Sequence, residues 1–161
     1  MVTLFQAAPL PVRKPISLLI LFLMMALFLI DVLHDLYRAA FALTIWIDHL
    51  FDRNDSLPNE PAAVKLATQA AVANAKLAAA LSGDSLTEIG MTIAYLKRAL
   101  KAITVSLDAA AQLRKVAGLV TCSQYAVLRQ RLFQVRDGIV TLMGEYRGEW
   151  RRRFGTEGFR R

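Results

Sequence analysis

The chain has little of what a metal site, a disulfide framework or a familiar catalytic centre requires. Its 161 residues include one cysteine and two histidines. One cysteine excludes an internal disulfide and an all-cysteine metal site, and any zinc site would have to recruit carboxylates. The sequence also lacks a glycine-rich phosphate loop, a Gly-x-Ser-x-Gly turn and a His-Glu-x-x-His pair. We therefore predict a protein that is not an enzyme and that binds no cofactor.

Proline and glycine are also few, with five and eight residues, and they lie mainly at the boundaries of apolar segments. The alternating β-branched clusters that are typical of strands are absent. Hydrophobic residues make up 55% of the chain, which is above the average for soluble proteins. These features predict an all-α protein. It consists of an N-terminal transmembrane anchor helix that continues into an amphipathic helix, followed by an antiparallel three-helix bundle.

Residues 16–30 form an apolar run without a single charge. Pro15 suits the first position of a helix, and the span 15–33 is about long enough to cross a thin bilayer. A secretory signal peptide would end in a small-residue cleavage site, but bulky and charged residues follow here. We therefore predict an uncleaved membrane anchor after an irregular arm, residues 1–14. The predicted anchor residues are Ile16, Leu19, Phe22, Met25, Phe28 and Ile30.

The charges beside this span predict its orientation. Arg13 and Lys14 precede it, whereas Asp31 and Asp35 follow it. The positive-inside rule then places the N-terminus in the cytoplasm and the helical domain on the opposite side of the membrane. We expect a single-pass membrane protein.

An amphipathic extension follows the anchor, and the two together occupy residues 15–52. A single helix over this length would be about 57 Å long, so residues 36–51 either lie on the membrane or join the bundle as a fourth helix. The spacing of Asp31, His34, Asp35 and Arg38 places them on one helix face. Charged groups at membrane depth are candidate proton-relay or ligand sites. Pairing of these groups at the headgroup level is the simpler explanation.

A polar segment with two prolines, residues 53–60, is the predicted linker to the bundle, residues 61–153. The bundle begins with an alanine-rich helix and continues with two helices in which apolar residues recur three and four positions apart, as in packed helices. Ser85 and either Thr121 or Ser123 are predicted to cap these two helices. The predicted core residues are Ile89, Ile93, Leu96, Leu100, Ile103, Leu128, Leu132, Val135, Ile139 and Leu142.

The chain is basic, with a net charge of +7, and cations gather at its end. Arg147, Arg151, Arg152 and Arg153 precede a basic tail, residues 154–161. Such a cluster can contact lipid headgroups, an acidic subunit or a nucleic-acid backbone. It also complements the dipole of a helix C-terminus without any partner. The predicted topology argues against nucleic acid.

These features predict a non-enzymatic accessory, scaffolding or assembly subunit of a larger membrane protein complex. Its expected partners are the lipid bilayer and other subunits of the complex, with assembly of identical copies left open. The alternative is a protein that remodels or permeabilises anionic membranes through the anchor, the amphipathic helix and the basic tail.

Overall fold

The computed structural model describes residues 35–82, 88–116 and 119–155. Over these ranges the chain forms four helices and no strand, so the prediction of an all-helical bundle is confirmed. Helix α1 is described over residues 35–52. Helices α2, α3 and α4 are Pro61–Ser82, Ile89–Leu113 and Cys122–Phe154, and a short 3-10 turn, Leu57–Asn59, lies between α1 and α2. The described ranges all belong to one compact unit.

Helix α1 is a member of the bundle. Leu36, Ala40, Leu43, Ile47 and Leu50 are all buried in the same hydrophobic core as residues of the other three helices. Their spacing of four, three, four and three residues places them on one helix face. Of the two positions that the sequence left open for residues 36–51, the described part of α1 therefore occupies the one in the bundle.

Neighbouring helices run antiparallel. The first described turn of α1 meets the middle of α4, where Leu36 lies against Gly138. Beyond the other end of α1, the Asn54 side chain donates a hydrogen bond of 3.0 Å to the carbonyl oxygen of Leu119, just before α4. Gly90, at the start of α3, likewise lies against Trp150 near the end of α4.

The connections define the two ends of the bundle. We call the end that holds residues 53–60, 114–116 and 119–121 the loop end, and the end that holds the start of α3 and the last turns of α4 the tail end. Since α4 continues for sixteen residues beyond Gly138, it extends about 24 Å past the level of Leu36. The tail-end half of α4 therefore lies beyond the described part of α1.

Small side chains allow α2 to pack closely. Its buried residues are Ala62, Ala63, Leu66, Ala70, Ala73, Leu77 and Ala80. Alanine has the highest helix propensity and loses no side-chain entropy on burial. Each fully buried leucine adds roughly 1.5–3 kcal/mol of hydrophobic stabilisation. The helix is thus favoured locally by its alanines and held in the bundle mainly by Leu66 and Leu77.

Most of the predicted core residues are buried in the structure. These are Ile89, Ile93, Leu96, Ile103, Leu128, Leu132, Val135, Ile139 and Leu142. Leu100 is only partly buried and packs at the edge of the core. Ala99 and Ala102, on either side of it in sequence, are buried instead. The spacing of large apolar residues in α3 thus predicted the buried face but missed the alanines on it.

Helix α4 begins with a capping box, and its cap is Thr121, one of the two candidates named from the sequence. The Thr121 hydroxyl accepts a hydrogen bond of 3.2 Å from the backbone N–H of Gln124. The Gln124 side chain accepts one of 2.9 Å from the backbone N–H of Thr121. These two bonds satisfy two donors that a helix start leaves open. The predicted cap Ser85 lies outside the described residues, and α3 begins at Ile89 after Glu88.

The linker is packed onto the bundle. Leu57 is completely buried. The side-chain oxygen of Asn54 accepts a hydrogen bond from the backbone of Ser56, while its amide group bonds to Leu119. The short connection therefore contributes a side chain to the core and ties the two loops at this end together.

Candidate functional surfaces

The predicted anchor residues, Ile16, Leu19, Phe22, Met25, Phe28 and Ile30, lie outside the described residues. Within the described ranges, no helix is both long and apolar enough to cross a membrane. The anchor therefore remains a prediction from the sequence.

The polar group on α1 is described only in part, because Asp31 and His34 lie outside the described residues. Asp35 and Arg38 form an ion pair of 3.6 Å, and both side chains are more than three-quarters exposed. An exposed pair of this kind contributes little to stability. Across the described ranges, no three histidine, cysteine, aspartate or glutamate side chains are grouped so that they could hold a metal ion.

Opposite its buried face, α1 carries an apolar strip that the bundle leaves partly exposed. The strip consists of Tyr37, Phe41 and Ile45, one helical turn apart, and we call it the α1 strip. Phe41 is 49% exposed and Ile45 is 41% exposed. The rings of Tyr37 and Phe41 stack, with 6.3 Å between their centroids. Asp48 and Asp52 follow on this face and end the strip toward the loop end.

The last turns of α4 hold the predicted basic contacts, and Glu149 engages two of them. Its carboxylate lies 2.6 Å from the Arg152 guanidinium and accepts a hydrogen bond of 2.6 Å from Nε of Arg153. The Arg153 hydrogen bond and the charges of both arginines lower the pKa of Glu149 below its ordinary value. Arg151 is exposed and forms no ion pair with any described residue. The cationic cluster is therefore partly neutralised at its tip.

A second group of cations lines a groove between α3 and α4. Lys97 and Lys101 come from α3 and Arg147 from α4, around a space of about 480 Å³ that we call the α3–α4 groove. The remaining lining residues are Leu100, Thr104, Val105 and Met143. None of the three cations forms an ion pair within the described ranges. Nε of Arg147 is buried and has no hydrogen-bond partner there.

A third concave surface lies at the loop end. It encloses about 310 Å³ and is lined by Trp46, His49, Leu50, Arg53, Ser123, Gln124 and Val127. His49 lies 3.8 Å from Asp52, and both side chains are largely exposed. Nearby, the exposed thiol of Cys122 accepts a hydrogen bond of 3.0 Å from Arg114. His49 and Ser123 both line this groove, but the Ser123 hydroxyl shares a hydrogen bond with the Thr121 hydroxyl and His49 lies beside Asp52.

The structure connects residues that the sequence treats separately. In the sequence, Lys97 and Lys101 fall between the recurring apolar residues of α3, whereas Arg147 belongs to the basic cluster near the C-terminus. Only the antiparallel packing of α3 on α4 makes them line one groove. Their unpaired state could not be deduced from spacing, since ion pairing depends on neighbours from the other helix.

No protein-family model, no curated protein and no solved structure matches this chain.

Proposed function

We propose that this protein is a non-enzymatic, single-anchor membrane protein that serves as an accessory, scaffolding or assembly subunit of a larger membrane complex. In this proposal residues 15–33 cross the bilayer with the N-terminus in the cytoplasm. The helical bundle lies on the opposite side. The α1 strip is the contact surface for another subunit.

The exposure of the α1 strip is the observation that carries this proposal. A helix that completes a bundle usually turns polar residues to water on its outer face. Here the outer face presents three large apolar side chains in succession, and two of them are more than two-fifths exposed. Aromatic side chains are enriched where proteins bury surface against each other. The strip also lies in the first described turns of α1, which follow the predicted anchor closely in sequence.

The expected occupant of the α1 strip is an apolar helix of another subunit. Side chains one turn apart can insert between those of a facing helix, which is how helices pack in membrane and soluble assemblies. The strip is short and ends at Asp48, so one crossing helix suffices to cover it. A second copy of the chain would bury the same residues against themselves.

The test is purification of the tagged chain from its native membranes in a mild detergent, followed by sizing and mass spectrometry. We expect one large complex in which this protein and its partners have a fixed ratio. The variant Phe41→Ser with Ile45→Ser should release the protein from that complex.

The matched control is Val64→Ser with Val72→Ser, which changes two exposed apolar side chains of α2 and should leave the complex intact. A lone monomer in the wild type would overturn the proposal. A homo-oligomer that the strip variant dissolves would identify a second copy as the occupant. Leakage from anionic liposomes caused by an otherwise monomeric protein would favour the alternative, a protein that acts on the lipid itself.

A further inference from the structure

We propose that the α3–α4 groove binds the headgroup of an anionic phospholipid. This inference rests on the proposed membrane anchoring, and it assigns to the bundle a lipid contact of its own. The groove would hold the bundle against the bilayer surface at a defined face.

The charge of the groove fits a phosphate. Lys97, Lys101 and Arg147 converge on it from two helices and have no acidic partner in the described ranges. Glu145 and Glu149 are each two positions from Arg147, and side chains with this spacing do not face each other on a helix. The next acid along this face of α3, Asp108, is about 10 Å of helix away from Lys101. Three cations therefore present an uncompensated positive charge.

The apolar lining of the groove distinguishes a lipid from a free anion. Leu100 and Val105 are partly buried beside the cations, and Met143 is buried. A soluble phosphate gains nothing from these side chains. A phospholipid offers both a phosphate for the cations and glycerol and acyl carbons for the apolar surface, as lipid-binding basic pockets do. The cations and the apolar side chains of the groove together thus match an amphipathic ligand.

The groove lies in the tail-end half of the bundle. Met143 and Arg147 lie beyond Gly138, in the tail-end half of α4. The loop end has a different character, because Asp48, Asp52 and Asp55 there accompany its cations. Uncompensated charge is therefore concentrated in the tail-end half of the bundle.

The experiment measures lipid retention by the full chain in non-ionic detergent micelles, with native mass spectrometry as the readout. Phosphatidylglycerol and phosphatidylcholine are added in separate titrations. Each cation near an anionic surface strengthens binding about fivefold. We expect the wild type to retain phosphatidylglycerol in preference to phosphatidylcholine. The triple variant Lys97→Gln, Lys101→Gln, Arg147→Gln should bind phosphatidylglycerol at least about tenfold more weakly.

The control variant Lys65→Gln, Lys115→Gln, Arg129→Gln removes the same charges from exposed loop-end positions and should bind like the wild type. Circular dichroism should show both variants folded. Equal weakening of phosphatidylglycerol binding in both variants would mean that net charge alone determines the binding. That result would overturn the groove proposal. Displacement of the lipid by inorganic phosphate as efficiently as by short-chain phosphatidylglycerol would overturn the choice of a lipid.

Two failures are distinguishable. If the wild type fractionates with membranes but shows no preference for phosphatidylglycerol, the groove proposal is wrong and the anchor stands. If the wild type does not fractionate with membranes at all, the proposed function fails and the groove proposal fails with it. Binding of single-stranded nucleic acid by the groove with greater affinity than anionic lipid would also contradict the proposal.

Discussion

Leu36 of α1 packs against the bare backbone of Gly138 in α4. A Cβ at Gly138 would come within 2.7 Å of Cδ1 and 3.6 Å of Cγ of Leu36. Glycine inside a helix costs roughly 0.5–1 kcal/mol relative to alanine. The glycine therefore gives up local helix stability and makes room for a buried leucine of the neighbouring helix.

Replacing Gly138 with valine should force α1 away from α4. Overpacking of this kind destabilises a protein by about 1–3 kcal/mol. We expect a lower melting temperature for the full chain in detergent micelles, measured by circular dichroism. Combined with Leu36→Ala, the Gly138→Val change should lower stability by less than the sum of the two single effects, because the two side chains compete for one space. Strict additivity would show that the two residues do not touch.

Replacing either of two other glycines of α4 should stabilise the protein instead. A Cβ at Gly144 or at Gly148 would meet no atom within 4 Å. Alanine at either position removes the entropic penalty of glycine in a helix without any clash. We expect Gly144→Ala and Gly148→Ala each to stabilise the bundle by about 0.5–1 kcal/mol. A destabilised alanine variant would mean that a partner or lipid approaches the helix closely at that glycine.

Neighbouring leucines of α3 should respond differently to truncation. Leu96 is completely buried, whereas Leu100 is only partly buried. Leu96→Ala should cost about 2–5 kcal/mol, the range for a buried leucine. Leu100→Ala should cost clearly less, since part of its side chain already contacts solvent. Urea unfolding of the two variants under the same conditions tests the order, and equal losses would place Leu100 in the core.

The carboxyl group of Glu149 should titrate below the ordinary glutamate range. The Arg153 hydrogen bond, helped by the charge of Arg152, lowers its pKa in the folded protein. The ion pairs therefore contribute above the unfolded pKa, and their contribution is lost as the pH falls through the lower folded value. We expect an NMR titration of the Glu149 carboxyl carbon to show this, and Arg153→Gln to raise the pKa. An unchanged pKa of Glu149 in Arg153→Gln would contradict the role given to the Arg153 hydrogen bond. Lys65→Gln is the control and should leave the pKa of Glu149 unchanged.

The sequence predicted the helices and most of the buried faces because large apolar residues recur with the period of a helix. It did not predict that Leu100 lies at the edge of the core while Ala99 and Ala102 are buried. Alanine carries too little hydrophobic signal to mark a face. Close packing, however, selects the small residue wherever two helices approach each other.

The place of α1 could not be read from the sequence either. An amphipathic helix with Leu36, Leu43 and Ile47 on one face can bury that face in lipid or in protein. The packing against α4 places this face in protein, because Gly138 leaves room for Leu36. The α3–α4 groove is a similar case, since it depends on which side chains of two helices meet. Local sequence patterns predict the helices, whereas the surfaces of the bundle depend on how the helices pack against each other.

The most direct test of the proposed membrane topology uses Cys122. It is the only cysteine of the chain, and its side chain is exposed, so a membrane-impermeant maleimide reports the side of the membrane on which the bundle lies. In sealed membrane vesicles we predict labelling of right-side-out vesicles, and labelling of inside-out vesicles only after detergent is added. Cys122→Ser gives the background. Labelling of intact inside-out vesicles, or absence of the protein from the membrane fraction, would contradict the proposal.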